Sequence, residues 1–416
     1  MRIAIVGAGV SGLVAAWILS RKHEVTVFEK DSRVGGHTNT FDAPAGGRLW
    51  PVDTGFIVHN RETYPNFTRI LSTLGVATKE STMSFSVKCE ETGLEYSPST
   101  PGTLFAQRGN LFRPAFWRML RDALRFRREM PAILAGSGYE TSLGDYLRQG
   151  GYSTAFIEEF LIPMGAAIWS ADPERFRHVP LRFFARFFAN HRFLEPEGQP
   201  GWRVIEGGSR RYLEPLSATF RDRIAMDAAV ASIRRREDGV DVLPARGEAR
   251  TFDHVVVATH SDQALALLSD PGEAETAILG AIPYQENRTL LHTDVSLLPK
   301  RRKVWAAWNF HRLPGRTGRA AVTYDMSILQ DIRAPEEFLV TLNREEAVDP
   351  SRVLYRTVYH HPVYTAEALA AQSRWGEING VRRTWFCGAY WGYGFHEDGV
   401  NSALAVTRAL GMDLPA

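Results

Sequence analysis

Three features of the chain predict a doubly wound α/β fold, with a Rossmann-like dinucleotide-binding domain and an inserted α+β substrate domain. Residues 1–12 read as an apolar strand running into the turn Gly7-x-Gly9-x-x-Gly12. Glu24–Phe28 reads as a second strand ending at Glu29, 22 residues beyond Gly7. Between residues 386 and 403 a short apolar run ends in glycines, and a helix is expected to begin near Gly399.

In the first turn, Gly7 permits the tight bend, Gly9 has no Cβ to hold phosphates away, and Gly12 lets the next helix lie close to the sheet. That helix, expected over residues 11–20 with Val10 and Ser11 at its start, aims free N–H groups and a positive dipole end at an anion. Glu29 stands where a carboxylate accepts hydrogen bonds from a ribose diol, and Lys30 follows it. Gly35 and Gly36 then supply backbone amides and Arg33 a cation near a pyrophosphate, with His37 and Thr38 completing the segment.

The 416 residues suffice for two domains and a sizeable core, and 44 % hydrophobic with 23 % charged residues is ordinary for a globular protein. A net charge of +2 gives no argument for nucleic acid. Cys89 and Cys387 are the only cysteines and lie far apart, so neither a disulfide framework nor a thiolate metal site is expected. The chain opens on a strand rather than a signal peptide and contains no apolar run of about 20 residues. The cytoplasm is the simplest setting. His360-His361-Pro362 lacks spaced carboxylates, so no metal site is expected, and no GxSxG elbow supports serine hydrolysis.

Two stretches concentrate arginine and aromatic residues. In 111–128, Phe112, Phe116, Met119, Leu120, Ala123 and Leu124 fall at helical spacing with most arginines off that face. In 181–193, which ends at Phe193, Arg182 precedes Arg186 by four, Phe183 precedes Phe187 and Phe184 precedes Phe188. Either both are amphipathic helices with solvated arginines, or they rest peripherally on anionic lipid at the inner face of a membrane.

The glycine turn at Arg33-Val34-Gly35-Gly36-His37 resembles the FAD-binding signature of the flavin amine oxidase superfamily, which includes amine oxidases, phytoene desaturases and protoporphyrinogen oxidases. The resemblance implies FAD as the cofactor. Val52-Asp53-Thr54-Gly55-Phe56 resembles the stretch passing beside the flavin, Glu206-Gly207-Gly208-Ser209 the central glycine pair, and Val230 the strand contacting adenine. Residues 253–259 read as a strand returning to the cofactor domain. Gly388, Gly399 and Val400 fall in what looks like the second flavin motif, although Ala389 stands where an acidic residue is usual. How the ribityl chain is held is therefore open.

A closer resemblance rests on residues 53–60, 63–66, 83–87, 162–170 and 394–399. These look like the flavoprotein half of plant cyclopropane fatty acid synthases and its stand-alone bacterial relatives, linked to methylated and furan fatty acid metabolism. The role implied is oxidation or desaturation of a methylated or cyclopropanated fatty acyl chain, by hydride transfer to flavin N5. The methyltransferase module of those synthases is absent, so the chain is not expected to make cyclopropanes, and the resemblance offers a fatty acyl methyltransferase as a candidate partner.

The fold expected is a cofactor domain assembled from residues 1–75, 202–290 and 375–416, with 76–201 and 291–374 forming the substrate domain. Residues 100–195 read as mainly helical, and residues 292–295 and 304–310 as strands. His396 aligns with an aromatic residue that amine oxidases place facing the flavin, and His292 with a lysine beside N5. Both are candidate acids or bases, or hydrogen-bonded structural histidines. Tyr390, Trp391, Tyr393 and Trp169 are candidates to wall an apolar pocket. Two alternatives to the acyl oxidoreductase stand open. One is an oxidase of a small soluble amine, with Glu80, Glu90 or Glu159 available to hold an ammonium ion. The other is a non-redox partner that binds FAD and lipid for a fatty acyl methyltransferase.

Overall fold

In the computed structural model, which describes residues 1–136, 141–192, 200–315 and 319–415, the N-terminal segment forms the centre of a five-stranded sheet. Phe193, the last residue of the second arginine-rich stretch, lies outside the described residues. Strand β1 (Arg2–Val6) pairs in parallel with β2 (Glu24–Phe28) on one side and β3 (His254–Val257) on the other. Ile224–Ala225 extends the sheet beyond β2, and Thr384–Phe386 beyond β3, both in parallel. Ile3, Ala4, Ile5 and Val6 are all buried, as a parallel sheet covered on both faces requires. Helix α1 (Val10–Leu19) is buried from Ser11 to Leu19, which its unbroken apolar sequence makes possible.

A second sheet has seven strands. At one edge β4 (Tyr284–His292) pairs antiparallel with β5 (Val353–Pro362) across nine positions of register. The order continues through Leu339–Leu342, Ala321–Asp325, Trp308–Arg312, Phe85–Cys89 and Glu95–Tyr96. Its helical neighbours include α2 (Pro114–Ala135) and α3 (Leu181–Asn190), which meet where Phe126 packs on Phe184 with ring centroids 6.1 Å apart. A three-stranded sheet of Val58–Asn60, Trp202–Ile205 and Thr78–Glu80 joins segments from either side of the helical region.

Several expected boundaries move. Tyr284–His292 forms a strand of the second sheet, although the middle cofactor segment is expected to run to residue 290. The strand expected over 292–295 instead ends at His292, and Val295–Leu297 is a 3₁₀ turn. The strand expected over 304–310 is Trp308–Arg312, preceded by the turn Arg302–Val304. Gln285, Asn287 and Thr289 are buried polar residues on β4, which hides the apolar alternation that marks a strand.

The two arginine-rich helices part company. On α2 the inward residues are Phe116, Met119, Asp122, Phe126 and Met130, while Phe112 in the preceding turn is 86 % exposed and Leu124 54 %. On α3, Phe183, Phe184, Phe187 and Phe188 are all buried. It is a core helix and offers no apolar face to a bilayer.

Candidate cofactor and substrate cavity

A cavity of about 780 Å³ runs from the N-terminal glycine turn of the first sheet to residues of the second sheet and its helices. Its wall includes Gly7, Gly9, Val10, Ser11, Glu29, Lys30, Arg33, Gly35, Gly36, His37, Gly55, Phe56, Val230, Gly388 and His396. The remaining predicted residues lie elsewhere, each for a visible reason.

The glycines of the first turn divide their work. A Cβ on Gly12 would stand 1.9 Å from the Gly7 carbonyl oxygen, and one on Gly7, at φ +102°, would stand 2.9 Å from that of Ala258. Both positions fix the strand–helix approach, so Gly12 is packed away from the cavity. A Cβ on Gly9 would meet no protein atom within 4 Å, so the missing side chain leaves open space at the helix start. Such a cradle suits a pyrophosphate backed by helix N–H groups.

Glu29 is 7 % exposed, and its carboxylate accepts from the Ala8 N–H at 2.8 Å and the Asp31 N–H at 3.0 Å. These bonds fix both oxygens at the cavity wall, where each keeps acceptor capacity for a ribose diol. Arg33 lines the cavity while its guanidinium donates to the carbonyls of Gly36 at 3.0 Å and Thr38 at 3.2 Å, bracing the Gly35–Gly36 turn.

Helix α4 (His396–Ala409) begins one turn before the expected start at Gly399 because the Asp398 carboxylate accepts from the Phe395 N–H at 2.9 Å. Gly399 and Val400 do not line the cavity. A Cβ on Gly399 would meet Val10 at 2.8 Å and Ser11 at 2.9 Å, so this glycine sets the close approach of α4 to α1, and Val400 is fully buried core.

His396 does face the cavity. Its Nε2 lies 3.0 Å from Thr38 Oγ1 and 3.2 Å from the Tyr212 hydroxyl, which places Thr38 behind the histidine rather than on the wall. Burial holds the ring's pKa well below the usual histidine range, so it is neutral at pH 7.

His292 is not at the cavity, correcting its expected place beside the cofactor. Its Nδ1 accepts from the Asp294 N–H at 3.0 Å and its Nε2 stands 2.7 Å from Thr341 Oγ1. Both ring nitrogens are engaged inside the second sheet, and burial lowers its pKa to about 4. The ring is a structural one.

Asp53 and Ser209 also act structurally. The buried Asp53 carboxylate accepts from Ser209 N–H and Oγ, both at 2.8 Å, and from Thr40 Oγ1 at 2.6 Å. This knot ties the stretch beside Gly55 to the central glycine pair, and Gly207 and Gly208 stay off the cavity wall. Burial raises the Asp53 pKa to about 6, against the pull of those donors.

Sequence reasoning named His37 but missed its companions. His260, His360 and His361 line the cavity with it, the His37 ring lying 5.5 Å from His361 and 6.2 Å from His260. Burial lowers His37 and His361 to about 3 and His260 to about 4. The adjacent pair at the end of β5 was the one visible signal. Only sheet pairing brings it to the glycine turn. Among the described residues no group of three or more His, Cys, Asp or Glu could hold a metal.

Toward the second sheet and its helices the wall carries the apolar side chains of Met83, Ile168, Trp169, Phe187, Trp308 and Leu342, with Tyr390 and Tyr393, beside the polar Ser170, His191, Tyr324, Thr357 and Tyr359. Trp169 Nε1 donates to the Tyr393 carbonyl at 3.0 Å. Trp391, expected in this wall, packs behind Tyr390 instead. The carboxylates on the wall are Glu29 and Asp31, both at the glycine-turn end. Glu80 is exposed, Glu90 pairs with Arg344 at 2.6 Å and Glu159 with Arg312 at 3.5 Å, so none of the three faces the cavity.

The comparisons agree with this geometry. A family model described as flavin containing amine oxidoreductase matches residues 10–410. A Mycobacterium tuberculosis protein named flavin-containing monoamine oxidase AofH is 26 % identical over 365 residues, 78 % of this chain and 70 % of its own length. Cyclohexylamine oxidase from Brevibacterium oxydans superposes with a TM-score of 0.69 at 16 % identity, covering 99 % of each chain. The CLA-producing fatty acid isomerase from P. acnes gives the same TM-score and identity over 98 % of each chain. Among the described residues no helix is long and apolar enough to cross a membrane.

Proposed function

The chain belongs to the flavin-containing amine oxidoreductase family and is an FAD-dependent oxidoreductase, and from that premise we propose that it oxidises or desaturates an apolar, lipid-like substrate. A methylated or cyclopropanated fatty acyl chain is the substrate class put forward. The residues present fit FAD: the open cradle at Gly9 would take the pyrophosphate, the fixed Glu29 carboxylate the adenosine ribose, and Val230 the adenine. When bound, FAD supplies the two-electron acceptor.

One observation carries the substrate reading. The wall around Ile168, Trp169 and Phe187 of the helical region and Met83, Trp308 and Leu342 is aromatic and aliphatic. Strand β5 adds the polar side chains of Thr357, Tyr359, His360 and His361, and the wall's carboxylates, Glu29 and Asp31, belong to the glycine-turn end. Trp169 and Phe187 can hold an alkyl chain by contact and exclude water, and no described wall residue there offers a carboxylate to an ammonium ion. The sequence stretches that resemble the flavoprotein half of cyclopropane fatty acid synthases support the same class. A small amine is the second reading, favoured by the name of the Mycobacterium relative.

Anaerobic mixing of the holoprotein with candidate substrates, followed by flavin absorbance, tests the proposal. Bleaching by a methylated or cyclopropanated acyl lipid supports it, and bleaching by a simple amine alone replaces it with the amine reading. Bleaching by neither points to a non-redox, FAD- and lipid-binding partner of a fatty acyl methyltransferase.

A further inference from the structure

The outward face of α2 has a composition that the fold itself does not need. Between Glu95 and Glu129 the one acidic residue is Asp122, which is 2 % exposed and accepts from the Ser153 N–H at 2.9 Å. The same interval holds seven arginines. Opposite the buried row of Phe116, Met119, Phe126 and Met130, the helix presents Trp117, Arg121, Leu124 and Arg128. At about 100° per residue these four share one narrow stripe. Trp117 is 49 % exposed and Leu124 54 %, and Trp117 Nε1 donates at 2.9 Å to the carbonyl of Leu111, the residue before the 86 % exposed Phe112.

We propose that this stripe docks the protein on an anionic lipid surface, with Phe112, Trp117 and Leu124 entering the headgroup boundary and Arg121 and Arg128 meeting lipid phosphates. Apolar side chains interleaved with arginine are the pattern that gains from both acyl-region burial and headgroup attraction. A second copy of the chain is the poorer occupant, because a two-fold contact would set arginine stripes against each other. The inference deepens the lipid-substrate reading and rests on it for its purpose. Position agrees: Phe126 on the inner side of α2 packs on Phe184 of α3, and Phe187 of α3 lines the cavity. The docking face is thus one helix removed from the apolar end of the cavity.

Co-sedimentation of the holoprotein with vesicles, without any substrate, tests docking separately from chemistry. Binding is expected to vesicles of mixed phosphatidylcholine and phosphatidylglycerol at low salt, weakening as salt screens the charges, and to be poor with phosphatidylcholine alone. Paired replacement Arg121→Glu and Arg128→Glu should lower the bound fraction about tenfold or more. A second pair, Phe112→Ser and Leu124→Ser, removes only outward side chains and should weaken binding at every salt concentration. Unchanged binding in both pairs, or no vesicle binding by the parent, overturns the proposal. So does a dimer of the parent that the serine pair dissolves, since the face is then a protein interface. Docking that holds while lipids fail to bleach the flavin would retain the surface and sink the substrate reading.

Discussion

His396 lies flat against Phe56, with ring centroids 3.5 Å apart and planes 14° from parallel. The stack joins the start of α4 to the stretch that crosses the cavity at Gly55, and Thr38 and Tyr212 fix the imidazole from behind. A ring so placed is a rigid, neutral part of the cavity wall.

That neutrality sets the first prediction. His396→Gln should lower the rate of flavin reduction by on the order of ten- to a hundredfold while FAD stays bound. The pH profile of reduction should keep its shape, because the buried ring does not titrate near pH 6 to 7. Stopped-flow reduction of both proteins across pH checks this. A wild-type rate in the variant would leave His396 with a packing role alone.

Gly9 and Gly12 should separate binding from folding. Gly9→Ala places its methyl in open space, so the apoprotein should melt as the parent does while FAD affinity falls. Gly12→Ala drives a methyl into the Gly7 carbonyl and should destabilise the apoprotein itself. Thermal melts of apoprotein beside FAD titrations distinguish the two, and equal melting losses would contradict the division.

Glu29→Ala should weaken FAD binding by about 1.5–3 kcal/mol, the worth of hydrogen bonds to a charged acceptor. Because Glu29 also accepts from Ala8 and Asp31, a further loss from a looser turn is expected. Fluorescence titration measures it, and unchanged affinity would remove Glu29 from the cofactor site.

Acid should destabilise the apoprotein through its cavity histidines. His361 is held down to about 3 by burial, whereas in an unfolded chain it binds a proton near pH 6.5. The unfolded state therefore binds more protons between those values, and stability falls as pH drops through that window. Each such histidine contributes at most about 1.4 kcal/mol per pH unit. His361→Gln should flatten the decline between roughly pH 6.5 and 4. Urea unfolding across pH measures it, and an unchanged slope would mean the ring is solvated.

What the sequence made legible was local. Gly7, Gly9, Gly12 and Glu29 declare themselves because one strand, one turn and one helix contain the whole geometry. Long-range pairing hid the rest. His292 looked like a cavity residue because it aligns with a lysine that the family it resembles places beside N5, and such an alignment says nothing of register: β4 holds it against Thr341 instead. His260 and His361 meet His37 only once β3 and β5 have found their sheets. Gly399 read as a cofactor glycine, yet its missing Cβ serves Val10 and Ser11.

The central strand β1 pairs with β3 at Ile3 and His254, so the middle of the first sheet joins residues 251 positions apart. At ribosomal speeds of about 5–20 residues per second, β1 waits on the order of ten seconds or more for that neighbour to be made. Until then one edge of an intensely apolar strand has no partner, and the cradle at Gly9 lacks the Ala258 side of its turn. Nascent chains are thus exposed to strand-to-strand aggregation during most of their synthesis, and FAD capture belongs to the last stage of their maturation.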